Sequence, residues 1–519
     1  MSPVDAAQDA EAVAGEAVEA QAEAAVARLR DRAAWTDVDA VRFCVVGLGV
    51  SGVAAANALA RLGADVRAYD DKDSDALAAT MERLDPRVRP RCGGGFVARR
   101  GEIAVVSPGL SVCSAAYRRI AAGSDLVVGE LELFARLDAA TRSGQGHPTV
   151  AITGTDGKTT TTMLVDHLLR TAGHQTLCAG NIGEPLCNHV GRLHDDAVVV
   201  AEVSEFQLAT TALFRPRIWI LTNVADDHLD WFAGDREAYI ASMTGPASRA
   251  GALDTVIYSA HDPAFAAMAE ALSQRSPTGP RLVPISARQP VVAGGFGLED
   301  GWLVYAPDAE NRIRLLAQDA LGQDAGRPMR GVHNVDNALG AAAAALAAGA
   351  SLEAVRAGLR TFELPAHRLE PVGSFGGVQF VNDSKATNPH AAIHGLRGTV
   401  LQPPQRLAWI GGGSEKDADF AEVAAEVAER AHVALLIGQT ALRLEQALLQ
   451  AGMAATDVLR CEHLQEAIAL GFQRLQPDGG VVLLSPACAS FGMFRSYSHR
   501  GDVFREAVRQ LGSALSRRS

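Results

Sequence analysis

Lysine is nearly missing from this chain. Of its 48 basic side chains only four are lysine: Lys72, Lys158, Lys385 and Lys416. The other 44 are arginine, which therefore serves as the general surface cation. A lysine kept against that bias is expected where a compact ammonium on a flexible stem does what a planar guanidinium cannot. Positive charge of any kind is also short. The net charge of −12 argues against a broad basic face that neutralises nucleic-acid phosphates. No apolar run reaches the roughly 18–20 residues of a membrane span, because Gly, Arg and Asp interrupt every stretch. A basic start followed by an apolar core is also missing, so no secretory signal is expected. The seven cysteines are odd in number, scattered and without metal-ligand spacing. They read as reduced thiols in a cytoplasmic protein.

What remains is a globular composition, 48% hydrophobic and 21% charged, over 519 residues. That length suggests about three domains. Residues 1–27 hold six acids and no Lys or Arg. With the following residues to 40 they are expected to form a mobile acidic extension. From Val41 the pattern alternates strands and helices: Arg42–Val46, a glycine turn, a helix, then Ala64–Tyr69. The segment 141–148 reads as a linker. A second alternating stretch opens at Thr149, and a third near Leu364. The expectation is an α/β fold of three domains, at 41–145, 146–363 and 364–519, built on largely parallel sheets.

The motifs sit at strand ends. Gly154-Thr155-Asp156-Gly157-Lys158-Thr159-Thr160 follows an apolar strand and opens a helix. Such a loop turns backbone N–H groups toward a phosphate at a helix N-terminus. Lys158 would reach the β- and γ-phosphates, and Thr159 would ligate Mg²⁺. The loop is shorter than the usual eight-residue pattern. Gly47-Leu48-Gly49-Val50-Ser51-Gly52 fits G-x-G-x-x-G, with Asp70 and Asp71 closing the next strand. Alone, that motif fits a dinucleotide or any other diphosphate-bearing nucleotide. Glu202 ends a strand after the phosphate loop, a common place for a carboxylate that meets Mg²⁺. His228 lies in Thr222–Asp230, just past another strand. Three further polar loops follow strands: Asn382–Asn388, Gly411–Lys416 and Ser485–Phe491. Open α/β sheets bind ligands at such ends. Lys385 and Lys416 both lie there.

Together these motifs resemble the Mur ligases of peptidoglycan synthesis, from about Val41 to Leu511. Asn181-Ile182-Gly183, Ser204–Leu208, Asp227–Asp230, His333-Asn334 with Asn337, His367-Arg368 and Arg500-Gly501 complete the resemblance. It implies a Rossmann-like first domain for a UDP-sugar, a central ATP-binding domain and a third domain for the incoming amino acid. It implies a monomeric ATP- and Mg²⁺-dependent ligase joining D-glutamate to UDP-N-acetylmuramoyl-L-alanine through an acyl phosphate.

By position, Lys158, Thr159 and Glu202 correspond to an ATP–Mg²⁺ site, and His228 to the ligand of a second Mg²⁺. Asn337 corresponds to an adenine contact, and Arg368 and Asp383 to contacts with the ATP phosphates and ribose. Ser51, Asp70, Ser107 and Asn181 correspond to UDP-sugar contacts. Lys385, Thr387, Lys416, Ser490, Phe491 and Tyr497 correspond to the amino-acid and catalytic set.

The chain departs from the family pattern at three places. Asp156 stands for Asn in the phosphate loop, and Glu205 stands for Ser. Met243 occupies the position of a carbamylated lysine that helps to hold the second metal. Three alternatives stay open on the sequence: a relative that joins another amino acid such as L-glutamate, a dinucleotide oxidoreductase, and an inactive scaffold.

Overall fold

The computed structural model describes residues 29–516, apart from 33, 73–74, 76, 94–95, 143, 276–277, 326–328, 400 and 415–417. Two compact units divide them. One runs up to Ala317 and includes Asp336–Leu359; the other holds Gln318–Val335 and everything from Arg360 onward.

The first unit contains two sheets. The first sheet has β1 (Arg42–Val46), β2 (Asp65–Asp70), β3 (Arg89–Cys92), β4 (Glu102–Val106) and β5 (Leu126–Gly129), in the order β3-β2-β1-β4-β5. All its pairings are parallel. Its apolar runs are buried on both faces, as parallel strands covered by helices require. The order reverses between β1 and β4, which opens a crevice at their C-terminal ends.

The second sheet comprises β6 (Thr149–Thr153), β7 (Thr176–Gly180), β8 (Val198–Glu202), β9 (Ile218–Leu221), β10 (Thr255–Ser259), β11 (Arg281–Ser286), β12 (Phe296–Glu299), β13 (Trp302–Tyr305) and β14 (Ile313–Ala317). The order is β14-β13-β12-β11-β10-β9-β6-β8-β7. It is parallel from β7 through β12 and ends in two antiparallel pairs. The central β6 lies between β8 and β9, so the loop after it sits at a second reversal of order.

The second unit holds the third sheet: β15 (Glu370–Phe375), β16 (Val378–Asn382), β17 (Arg406–Gly413), β18 (Val433–Gly438), β19 (Val458–Arg460) and β20 (Gly480–Leu484). Its order is β15-β16-β20-β17-β18-β19, and only the β15–β16 pair is antiparallel.

One expectation needs correction. Residues 29–32 and 34–40 are not a loose extension. Trp35 is 1% exposed, packs near Phe43 and donates from its indole to the Leu29 carbonyl at 2.9 Å. The buried Arg136 guanidinium lies over the Trp35 ring and donates to the carbonyls of Leu29, Arg30 and Arg32. Glu132 neutralises Arg136 at 2.6 Å and also accepts from the N–H groups of Ala212, Leu213 and Phe214. A pair with 1% and 0% exposure is tolerated because backbone groups meet most of its remaining valences; the Arg136 Nη2 has no hydrogen-bond partner among the described residues. The rest of the expected extension, residues 1–28, lies outside the described residues. No helix among the described residues is long and apolar enough to cross a membrane.

Candidate active site

At the first crevice, the glycine turn is built for close approach. Gly47 has φ +92°, and a Cβ there would come within 2.7 Å of the Ser107 Cβ. A Cβ at Gly52 would strike the Gly47 carbonyl oxygen, so only glycine lets the helix Val50–Arg61 start so near β1. Asp70, at the end of β2, accepts from the Leu48 N–H at 2.7 Å and the Lys72 N–H at 3.1 Å. It braces the turn. Ser107, after β4, receives the Gly109 N–H on its hydroxyl. Ser51 is half-buried on the first turn of the helix. Ser51, Asp70 and Ser107 thus gather at one sheet end. Asn181 does not; it follows β7 of the second sheet and donates to Glu202 at 2.8 Å.

The second reversal carries the phosphate loop. Gly154 (φ +134°) and Gly157 (φ +79°) take conformations that side chains resist. Gly157 caps the helix Lys158–Thr171, whose first N–H groups have no helical partner. The loop is held from behind. Asn223 accepts from the Asp156 N–H and donates to the Asp156 carbonyl, and Thr222 donates to the same carbonyl. The Thr155 hydroxyl lies 2.7 Å from the Tyr239 hydroxyl and accepts from the Ala225 N–H. Thr161 donates to the buried Asn337 at 3.1 Å. Lys158 folds back over its own loop, donating to the carbonyls of Gly154 (2.6 Å) and Thr155 (2.9 Å). Thr159 lies half-buried in the first helical turn, and Thr160 is buried. The Asp156 side chain is half-buried, while its backbone does the bracing.

Two carboxylates stand beside this loop. Glu202 closes β8 and is 2% exposed; its Oε1 takes the Asn181 amide. Glu205 is also 2% exposed; its Oε1 lies 2.8 Å from His228 Nδ1 and its Oε2 lies 4.0 Å from Lys158 Nζ. The Oε2 of each has no hydrogen-bond partner among the described residues. Burial works against the Glu205 charge. The His228 hydrogen bond and the Lys158 and His228 charges outweigh it and hold the carboxyl below its ordinary range. Burial, followed by the Glu205 charge, pushes the Tyr239 phenol upward, so it stays neutral. Met243, one turn beyond Tyr239, is fully buried in the apolar core. The helix that carries it, Arg236–Ala247, packs against the short helix Glu205–Leu208. Thr222, Asn223 and Tyr239 were not singled out by sequence as parts of the cradle. For the first two the signal was present, since they directly follow β9.

The second unit has its own polar end. Asn382, at the end of β16, donates to His367 Nδ1, to Glu370 and to the Gly501 carbonyl. Asp383 is buried and accepts from the Ser485 hydroxyl at 2.7 Å and the Leu369 N–H at 3.2 Å. Burial pushes its carboxyl up to about 7, against the Ser485 hydrogen bond and the Arg368 charge. Arg368 lies between two left-handed residues, His367 (φ 64°) and Leu369 (φ 40°). Its Nε is buried without a hydrogen-bond partner among the described residues. Strain of roughly 1–3 kcal/mol per such residue is kept where the surroundings over-determine it.

Lys385 Nζ sits 4.0 Å from the centre of the Tyr497 ring. The buried Arg500 donates to the Ser384 hydroxyl and carbonyl and to the Cys488 carbonyl. Ser490 is buried, Thr387 is half-buried and Phe491 is 62% exposed. Lys416 lies outside the described residues.

Comparison with known proteins agrees with this arrangement. Residues 152–345 match the Mur ligase middle domain, and residues 367–488 match the Mur ligase glutamate ligase domain. The chain is 36% identical over 473 residues to UDP-N-acetylmuramoylalanine--D-glutamate ligase of Pelotomaculum thermopropionicum, covering 91% of this chain and 98% of that one. It is 35% identical over 483 residues to the protein of the same name from Salinibacter ruber, covering 92% and 99%. Among solved structures, the fold is similar to a pseudomurein peptide ligase type C from Methanothermus fervidus. There the TM-score is 0.52 at 16% identity, over 91% of this chain and 100% of that one. It is likewise similar to the UDP-N-acetylmuramate-alanine ligase MurC of Thermotoga maritima. There the TM-score is 0.52 at 18% identity, over 90% and 99%. With its phosphate loop, its three sheets and these matches, the chain belongs to the Mur ligase family of ATP-dependent amide-bond-forming ligases.

Proposed function

We propose that this enzyme joins D-glutamate to UDP-N-acetylmuramoyl-L-alanine in the cytoplasm, as a monomer, in the synthesis of peptidoglycan precursors. The observation that carries the reading is the braced phosphate loop with Lys158 and two buried carboxylates beside it. A carboxylate and an amine do not condense at neutral pH, because an oxide is a hopeless leaving group. Transfer of the ATP γ-phosphoryl group to the substrate carboxylate makes an acyl phosphate. The glutamate amine then attacks the acyl carbon, and inorganic phosphate leaves. The protein positions the reactants and neutralises the developing charge.

Lys158 leaves the carbonyls of Gly154 and Thr155 for the β- and γ-phosphates. Asn337, Arg368 and Asp383 contact the nucleotide. Ser51, Asp70, Ser107 and Asn181 contact the UDP-sugar. Lys385, Thr387, Lys416, Ser490, Phe491 and Tyr497 bind and orient the amino acid. The domain limits in this reading are 41–145, 146–363 and 364–519.

The donor set suits Mg²⁺. The Oε2 atoms of Glu202 and Glu205, which have no hydrogen-bond partner among the described residues, are hard, buried, anionic oxygens. Thr159 and Glu202 would hold one ion, and His228 would hold a second. When bound, they would supply positive charge to the phosphate oxygens.

The test is phosphate release from ATP with UDP-N-acetylmuramoyl-L-alanine against a panel of D- and L-amino acids. Release that depends on D-glutamate supports the assignment. Release with another amino acid alone overturns the substrate, and none with any overturns the ligase reading.

A further inference from the structure

The second sheet has two ends, and only one carries the phosphate loop. At the other, around the start of β6 and the residues that lead into β9, lies a cavity of about 540 Å³. That size is within the usual range of small-molecule sites. Its walls are the helix Glu130–Thr141, the segments 144–149 and 213–217, and Leu253. Thr149 lines the cavity, while Gly154, past the other end of β6, opens the phosphate loop. The five residues of β6 put roughly 17 Å of strand between the two. The cavity is therefore separate from the site described above.

Buried carboxylates hold its walls. Glu132 accepts from the N–H groups of Ala212, Leu213 and Phe214, which fixes the chain before β9. Asp138 accepts the His147 N–H at 2.6 Å and lies 2.7 Å from His147 Nδ1, which fixes the chain before β6. A cavity pinned in this way is formed before a ligand arrives, so little ordering opposes binding.

The lining has two characters. Phe134, Pro148, Leu213, Phe214, Pro216 and Leu253 are apolar. Leu213 is 39% exposed and Leu253 is 72% exposed, so a ligand that covers them removes apolar surface from water. Beside them, Arg215 and Arg217 share one carboxylate, that of Asp254. Arg215 holds it at 2.5 Å. The half-exposed Arg217 guanidinium makes one hydrogen bond among the described residues, to Asp254 at 3.5 Å. The acids of the lining itself do not compensate, since Glu132 is taken up by Arg136 and backbone and Asp138 by His147. Two guanidinium groups against one carboxylate leave a surplus of positive charge beside the apolar wall. A guanidinium takes a carboxylate or phosphate through two parallel N–H bonds.

We propose that this cavity is a second ligand site, for an organic anion. The apolar body of the ligand covers Leu213, Pro216 and Leu253, and its carboxylate, sulfonate or phosphate ester lies on Arg217. The inference does not rest on the ligase reading.

The probe is anilinonaphthalene sulfonate, an aromatic body with one fixed negative charge. It is titrated by fluorescence into the full-length protein, with and without saturating β,γ-imido ATP and UDP-N-acetylmuramoyl-L-alanine. The wild type should bind one probe per chain saturably under both conditions. Arg217→Gln should weaken binding by roughly tenfold or more, as losing a hydrogen bond to a charged group does. Leu253→Asp, at an exposed position, should also weaken it, because it sets a like charge beside the anion. Phenylnaphthylamine has the same rings without the charge. It should bind the wild type more weakly and should not respond to Arg217→Gln. Leu442→Asp, at an exposed leucine of the second unit, is the control and should change nothing.

A wild type that binds no probe would overturn the proposal. So would unchanged affinity in both Arg217→Gln and Leu253→Asp, or equal binding of the neutral probe. Displacement of the probe by the nucleotide analogue or the UDP-sugar would place it at the nucleotide or sugar site and overturn the proposal as well.

Discussion

A Cβ placed on Gly157 would lie 2.4 Å from the Asn337 Oδ1, so the phosphate loop and the helix that carries Asn337 touch where only glycine fits. Gly157 also has φ +79°. Gly157→Ala therefore meets a clash and a left-handed backbone penalty of roughly 1–2 kcal/mol. We expect a lower urea midpoint and at least tenfold weaker binding of β,γ-imido ATP. Calorimetric titration that finds wild-type affinity would refute this role for the contact.

Lys158 is the cation nearest the phosphate cradle, and its side chain is 15% exposed rather than part of the apolar core. Lys158→Ala should abolish detectable ligation and leave the fold intact. Lys158→Arg should not restore turnover, because a planar guanidinium cannot pass from loop carbonyls to phosphate as a point charge can. Circular dichroism and coupled phosphate release check the two halves. Near wild-type ligation by the alanine variant would remove the loop from the mechanism.

The first crevice should take a UDP-sugar and not NAD. Asp70 accepts the N–H groups of Leu48 and Lys72, which fixes the glycine turn, and Ser107 after β4 stands beside that turn as the UDP-sugar reading requires. Titration with UDP-N-acetylmuramoyl-L-alanine, NAD and NADP separates the readings. Tight NAD binding with no response to the UDP-sugar is the contrary result.

Much of this was legible because chemistry concentrated a scarce residue. Lys158 and Lys385 both lie where strands end, and the short phosphate loop stood between a strand and a helix as its pattern required. The parallel sheets followed from alternating apolar runs. Other features were hidden for physical reasons. The orientation of Glu205 could not be read from strand alternation, because a capping box of Ser204 and Gln207 ends the strand first. The binding of residues 29–32 and 34–40 was masked by the Ala- and Glu-rich stretch before them. Trp35, one of five tryptophans, was the available signal, but its partner Arg136 is about a hundred residues away. The antiparallel strands β12–β14 are short half-buried runs without a strong period.

Asp383 makes the second unit's stability depend on pH. Burial, the largest influence, lifts its carboxyl to about 7, so the folded chain holds this proton more tightly than the unfolded chain does. Stability from this group is full below the ordinary carboxylate pKa of about 4. It falls as pH rises and is lost once pH passes about 7. Asp383→Asn should flatten that slope. Urea midpoints of the two proteins measured from pH 4 to 8 should draw apart in favour of the variant. Parallel curves would mean that Asp383 stays ionised across the range.

Met243 should pack and not bind metal. It is fully buried among apolar side chains, and a thioether is a poor ligand for a hard cation. Met243→Leu conserves volume and should cost less than about 1.5 kcal/mol while keeping turnover. Met243→Lys buries an ammonium in that core. It should lower the unfolding free energy measured by urea titration by more than the about 1–3 kcal/mol of a buried neutral polar group. No lysine lies between Lys158 and Lys385, so no lysine follows Lys158 in the phosphate-loop unit on which to build a carbamate at the Met243 position. Removing bicarbonate should therefore leave wild-type activity unchanged. The check is phosphate release in degassed buffer with and without added bicarbonate. A several-fold bicarbonate response in the wild type would show that a modified lysine serves the site after all.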